Sequence, residues 1–277
     1  MAGMPLPRMG RRGAGVGGGL GALLLIGIAL LFGVDPRVLL TGGGNPPVVP
    51  GPATPAVTSP AEDELAAFVS VVLADTEDTW RGIFEELGGS YREPTLVLFT
   101  GEVRSACGFA AAAAGPFYCP GDGKLYIDLG FYDELERRLG APGDFAQAYV
   151  LAHEVGHHVQ TLMGVTQKVD RLRRQVSRGD GNRLSVLTEL QADCYAGVWA
   201  HHAEARGLLE PGDREEAIRA AGAVGDDTLQ RRAQGHVVPD SFTHGSAEQR
   251  IAWFLRGFEA GRPGVCNTFE RAGLVAR

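Results

Sequence analysis

Apolar residues recur every three to four positions through EDELAAFVSVVLADTEDTWRGIFEEL, where Leu65, Phe68, Val69, Val72, Trp80, Ile83 and Phe84 fall on one helical repeat. That period predicts a helix from near Ala61 to the Gly88-Gly89 pair, which ends it. Two short apolar runs bounded by glycine or proline, Thr95 to Phe99 (TLVLF) and Leu125 to Leu129 (LYIDL), predict two strands that share one sheet. Pro142-Gly143-Asp144 then predicts a helix N-capped by Asp144 and stopped by Gly164, and a second strong helix runs from about Ser185 to Arg206. SRGDGNR, between them, reads as a polar loop, and its Arg178-Gly179-Asp180 triplet is assigned no function. Asp213 to Ala233 and Ser246 to Gly261 predict two further helices, the latter opened by a capping box of Ser246 and Gln249. No internal repeat interrupts this order. The expected fold class is α+β, a helix-rich domain with a small β-sheet.

The N-terminus follows a different pattern. Val16 to Val34 carries no charged residue, a length close to the hydrocarbon thickness of a bilayer when helical. Arg8, Arg11 and Arg12 precede it, which favours an N-terminus held in the cytoplasm and a chain that continues outside. A cleaved signal peptide shares the charged start and apolar middle, but no Ala-x-Ala follows and Val34-Asp35-Pro36-Arg37 is a poor cleavage site. The expectation is therefore one transmembrane helix over 16–34 after a cytoplasmic stretch of 1–15. Prolines recur through NPPVVPGPATPAVTSP, so 35–60 reads as a stiff extended linker and 61–277 as the folded domain, on the outer side of the cytoplasmic membrane.

Charge removes one class of partner. The first 37 residues carry +3 of a total of −7, which leaves an acidic body of −10 and argues against a nucleic-acid partner. Four cysteines allow three disulfide pairings. Cys107 with Cys119 is the better choice, because GFAAAAAGPFY between them has the glycines and proline of a bent loop, and Cys194 with Cys266 would then tie the C-terminus to a central helix. Four reduced buried thiols are the alternative.

HEVGH, residues 153–157, places two imidazoles and a carboxylate in an apolar helix. Residues four apart on an α-helix are turned by only about 40°, so His153 and His157 share a face and can chelate one ion, whereas His158 points elsewhere. Glu154 stands beside the pair, able to reach a water on the metal without binding the metal. Gly156 in a helix interior costs about 1 kcal/mol, and its use would be the close approach of another backbone. A hydrolytic zinc takes three protein ligands and keeps one position for water. Glu189, in TELQAD, is the candidate third ligand, and Asp193, one turn on, can accept the other ring N–H of a histidine.

HEVGH followed by ELQAD resembles the glutamate zincins, the thermolysin-like metallopeptidases. More closely, SACGFA, GPFYCP, YIDLGFYDEL, GAPGDFAQAYVLAHEVGHHVQ, ELQADCYAGVWA and VPDSFTHGSAEQR resemble the bacterial family of putative neutral zinc metallopeptidases, a likeness that runs from Tyr91 to Phe258. The resemblance implies a zincin-like fold and a membrane-tethered zinc peptidase with one catalytic Zn2+, and supplies no substrate. By position, His153, His157 and Glu189 would bind zinc and Glu154 would serve as general base and acid on a peptide or protein substrate. His244 is the candidate second donor to the oxyanion, expected neutral because a helix N-terminus follows it, with Tyr195 and His236 weaker choices and a local structural role as its alternative. Phe109 to Phe117 could pair with substrate backbone as an added strand or be a disulfide-closed surface loop. The competing function is a non-catalytic, zinc-stabilised tethered scaffold for envelope proteins, which would have no need of Glu154 beside an open metal position.

Overall fold

Ser59 starts the first helix, α1 (Pro60–Glu86): its hydroxyl accepts the Glu62 N–H at 3.3 Å, and the Glu62 carboxylate accepts the Ser59 N–H at 2.7 Å. The reciprocal cap satisfies two otherwise orphan donors, and it lies at the end of the proline-rich stretch. The computed structural model describes residues 59–111 and 115–272. The expected membrane span and nearly all of the expected linker fall outside these. Among the described residues no helix is long and apolar enough to cross a membrane.

The predicted strands pair in one sheet. β1 (Thr95–Phe99) runs parallel to β5 (Lys124–Asp128), with Thr95 opposite Lys124 and Phe99 opposite Asp128. β4 (Phe117–Cys119) adds an antiparallel edge to β5. A separate hairpin, β2 (Glu102–Ser105) with β3 (Gly108–Ala111), is bound to β4 by the Cys107–Cys119 disulfide. These three strands have only three or four residues each, too short for an alternating pattern to stand out.

After the sheet come α2 (Phe131–Arg137), α3 (Asp144–Leu162), α4 (Val165–Arg173), α5 (Arg178–Ala205), α6 (Asp213–Ala223), α7 (Asp226–Gln234), α8 (Ala247–Ala260) and the short α9 (Thr268–Arg271). Three expectations need correction. Asp144 is the first residue of α3 rather than its cap: Gly143 occupies the cap at φ 114°, a conformation open to glycine and strained for other residues. SRGDGNR is helical, not a loop. Ser177 accepts the Asp180 N–H at 3.2 Å and donates its hydroxyl to the Asp180 carboxylate at 2.7 Å, so the Arg-Gly-Asp triplet is the first turn of α5. Finally, the single helix expected over 213–233 breaks after Ala223, where Gly225 runs against the backbone of Ala247 too closely for a Cβ.

The helices α3 and α5 form the middle of the core, with α1, α6 and α8 packed around them. Glycine brings α5 and α8 together: a Cβ on Gly197 would overlap the Phe254 carbonyl, and one on Gly257 would overlap the Cys194 carbonyl. The Cys194–Cys266 disulfide then holds the 3₁₀ turn Pro263–Cys266 to α5, so both expected pairings are formed. Gly257→Ala is expected to cost about 1–3 kcal/mol by overpacking this crossing. Gly82→Ala, in α1 with open space around it, should instead gain up to about 1 kcal/mol. Chemical unfolding of both variants checks the contrast.

Candidate metal centre

Gly156 lies against α5 at Ala192, where an added Cβ would stand 2.9 Å from the Ala192 carbonyl oxygen and 3.0 Å from its Cα. The missing side chain lets the two backbones approach, and the residues that flank the contact on each helix are the ionisable ones: His153 and His157 on α3, Glu189 and Asp193 on α5. All four are buried or nearly so in an apolar surround. Such groups cost free energy there unless each finds a partner.

The partners can be assigned from the hydrogen bonds. Nδ1 of His153 lies 2.8 Å from Asp193 Oδ1, and since a carboxylate only accepts, Nδ1 carries the proton. Nδ1 of His157 lies 2.9 Å from Gln160 Oε1. The Gln160 amide nitrogen donates to the Thr188 carbonyl at 2.6 Å and to Gln191 Oε1 at 3.1 Å, so its oxygen is the acceptor and His157 donates too. In the neutral form both rings therefore turn Nε2 lone pairs inward. Facing them is Glu189, with Oε2 at 3.1 Å from His153 Nε2 and Oε1 at 3.5 Å from His157 Nε2. His157 Nε2 is buried with no hydrogen-bond partner. Two lone pairs against two carboxylate oxygens demand either protons or a cation, and the set of two imidazoles and one carboxylate suits zinc. One ligand atom from each of His153, Glu154 and His157 also lies within 4.8 Å of the others.

Electrostatics point the same way. Burial works to lower the His153 pKa, but Asp193 and Glu189 outweigh it and raise it to about 9, and His157 is raised against burial mainly by Glu189. Burial pushes Glu189 up, yet the two imidazoles hold it well below the usual carboxylate range. The pocket thus draws positive charge to the inner nitrogens. Asp193, opposed by its own burial, is brought down to about 2 by Arg250 and His153.

Glu154 stands beside these donors and is held from the other side. Its Oε2 accepts the Tyr118 backbone N–H of β4 at 2.8 Å, and burial, opposed by His157 and His153, raises its pKa. A small cleft of about 80 Å³ is lined by His153, Glu154, Glu189, His244 and Arg250 among others. His244 therefore does reach the site, but the reason given for its neutrality fails. Its Nδ1 lies 3.2 Å from Asp226 Oδ1, and the Asp226 carboxylate also accepts the N–H groups of Thr243, His244 and Gly245 at 2.8, 2.7 and 2.9 Å. Burial would lower the His244 pKa, but Asp226 and then Glu189 raise it. With Nδ1–H committed to Asp226, Nε2 becomes a donor only in the protonated ring. The other two candidates do not line the cleft: Tyr195 directs its hydroxyl at the Met163 sulfur at 3.5 Å, and His236 is exposed.

Three contributors escaped the sequence reading. Arg250, buried on α8, grips Asp193 through two nitrogens, each at 2.9 Å, and also donates to the Tyr149 hydroxyl at 3.4 Å. Tyr149 in turn donates to Asp193. Asp226 is hidden within a run read as continuous helix. For Arg250 there was a weak signal, an arginine three residues short of the apolar centre of an otherwise amphipathic helix, and for Asp226 there was none. His158 points away from the pair, as expected, to the Arg92 carbonyl at 2.6 Å. Of the expected substrate track, 109–111 belong to β3, 112–114 lie outside the described residues, and Gly115 and Pro116 line the cleft.

A model of the family described as putative neutral zinc metallopeptidase matches residues 3–269. The Escherichia coli protein YpfJ, described as uncharacterized, is 52% identical over 269 residues, which cover 96% of this chain and 92% of that protein. An uncharacterized protein of Mycobacterium tuberculosis is 40% identical over 260 residues, 89% of this chain and 86% of its own. No solved structure matches the chain.

The Asp226–His244 pair generates a pH prediction. Burial opposes the ionised form of Asp226, but His244 and the backbone donors lower its pKa, so its stabilisation is present above the ordinary Asp value and is lost as pH falls through the depressed one. His244 has a raised pKa, so its share is full below the ordinary His value and is lost as pH rises through the raised one. In chelator-treated protein, the loss of Tm on Asp226→Asn should be greatest between about pH 4 and 6.5, shrinking on either side. A loss that is flat from pH 3 to 9 would contradict the pairing.

Proposed function

The chain belongs to the family of putative neutral zinc metallopeptidases, and from that premise we propose that it is a zinc-dependent endopeptidase in which Glu154 activates water. The observation that carries this reading is the inward-facing pair of Nε2 atoms opposite the Glu189 carboxylate, with a fourth group, Glu154, beside them and tied to β4. A purely structural zinc site is closed by four protein ligands and has no use for an adjacent base in a cleft.

His153, His157 and Glu189 would hold the metal. A bound zinc ion supplies Lewis acidity and a water whose pKa is near 7. Glu154 takes the proton from the attacking water and returns it to the departing amine, so one carboxylate serves as base and then acid. Its raised pKa suits the second role as well as the first. Protonated His244 donates from Nε2 to the oxygen of the attacked carbonyl as negative charge develops there, and Asp226 fixes the ring. Asp193, clamped by Arg250, keeps the His153 tautomer with Nε2 free.

The same reading places the domain outside the cytoplasmic membrane, anchored by residues 16–34 through a proline-rich tether. Two supports are independent of each other. The uncharged run 16–34 follows Arg8, Arg11 and Arg12, and the two disulfides suit an oxidising compartment. The substrate is then a peptide or an unfolded protein chain reached on that side.

Incubation of the full-length, zinc-loaded chain with denatured protein tests the function. Glu154→Gln should lower kcat by about 10²–10⁴ while zinc stays bound. His244→Ala should cost about tenfold to a thousandfold and remove the alkaline limb of the pH–rate profile, since activity that needs the imidazolium falls as pH rises through its raised pKa. Equal proteolysis by wild type and Glu154→Gln would assign the activity to a contaminant and leave the scaffold reading ahead.

A further inference from the structure

Beyond the loop that carries His244 lies a second, larger hollow of about 1350 Å³, between the end of α4, the first turns of α5, the Pro239–Ser241 turn and the start of α8. Its apolar wall is Leu172, Val176, Leu184, Val186, Leu187 and Phe242. Among the described residues Val176 is 40% exposed, Leu172, Val186, Leu187 and Phe242 are half-buried, and Leu184 is buried beneath them. A contiguous apolar surface of this kind is able to seat an apolar side chain of a partner.

Its position identifies what that is. Val186 precedes Glu189 by one turn of α5, and Phe242 precedes His244 by two residues. Gly245 packs the intervening loop onto the same stretch of helix, where an added Cβ would stand 3.3 Å from Val186 and 3.2 Å from Leu190. The groove therefore opens beside the cleft and runs towards the start of α5. From Glu189 to Val186 and Asn182 the helix rises about 5 and 10 Å, the span of about one to three residues of extended peptide.

The rim adds a charge preference. Asp180 is paired with Arg183 at 3.5 Å. Asp240 and Glu248, also on the rim, are exposed and have no ion-pair partner among the described residues. Two unpaired carboxylates beside an apolar floor complement a cationic side chain next to a large apolar one.

We infer that this groove binds the substrate chain on one side of the cleaved bond and selects a large apolar residue adjoined by lysine or arginine, one to three positions from that bond. The inference rests on the peptidase reading for the presence of a polypeptide in the cleft. The apolar wall supplies most of the affinity, since exposed charges contribute little each.

The test uses the full-length, zinc-loaded chain carrying Glu154→Gln and dye-labelled decapeptides that differ only at two adjacent positions: Leu-Lys, Leu-Glu or Ser-Gly. Fluorescence anisotropy should show the Leu-Lys peptide bound about tenfold or more tightly than Ser-Gly, with Leu-Glu about threefold weaker than Leu-Lys. The exposed double variant Asp240→Asn with Glu248→Gln should abolish the Lys-over-Glu difference and keep the preference for Leu. Phe242→Ala should reduce the preference for Leu. Equal affinity for all three peptides, absence of binding, or a Lys preference untouched by the double variant overturns the inference. The two readings fail separately: wild-type protein that cleaves nothing, while the variant binds Leu-Lys selectively, refutes the peptidase and leaves the groove standing. Cleavage without any such preference does the reverse.

Discussion

Two imidazole nitrogens and two carboxylate oxygens are held face to face in an interior where only added protons or a cation can satisfy them. Each outward nitrogen is already committed, His153 to Asp193 and His157 to Gln160, so neither ring can relieve the inner contact by changing tautomer without breaking a buried hydrogen bond. Repulsion between such groups is not screened as it would be in water. A divalent cation turns the same arrangement from a cost into a binding site. The rest of the centre makes sense as a device for holding these atoms in place.

Close backbone approach is the first part of that device. Gly156 at Ala192 sets the separation of α3 and α5, and Gly197 with Gly257 sets that of α5 and α8, which in turn delivers Arg250 to Asp193. The result is a buried chain of partners from Arg250 through Asp193 to His153. A buried carboxylate without the arginine would be an uncompensated charge. The edge strand β4 completes the wall by offering one backbone N–H to Glu154, and the disulfide behind it ties that strand to the hairpin. Stability and chemistry thus depend on the same few contacts.

Much of this was legible in the chain. The i,i+4 spacing of His153 and His157, and of Glu189 and Asp193, follows from helix geometry alone, so the four meet once the two helices cross. The cysteine pairing, the sharing of one sheet by β1 and β5 and the Ser246 cap were readable for similar local reasons. What escaped depends on tertiary contacts. Arg250 resembles any amphipathic-helix arginine until α8 is packed on α5. The break before Asp226 is set by the passage of Gly225 against Ala247, and the raised pKa of His244 by a carboxylate eighteen residues away. The polar start of α5 was misread because composition outweighed the Ser177–Asp180 cap.

The account depends most directly on one ion bound by three named side chains. X-ray absorption at the zinc edge, on full-length protein with metal content measured in parallel, reads both the stoichiometry and the ligand types. One zinc per chain is expected, in a shell of two imidazole nitrogens with oxygen neighbours only, and Glu189→Ala should release the metal to a chelator that leaves wild type loaded. A chain that takes up no zinc, a sulfur-containing shell, or metal retention unaffected by Glu189→Ala would contradict it.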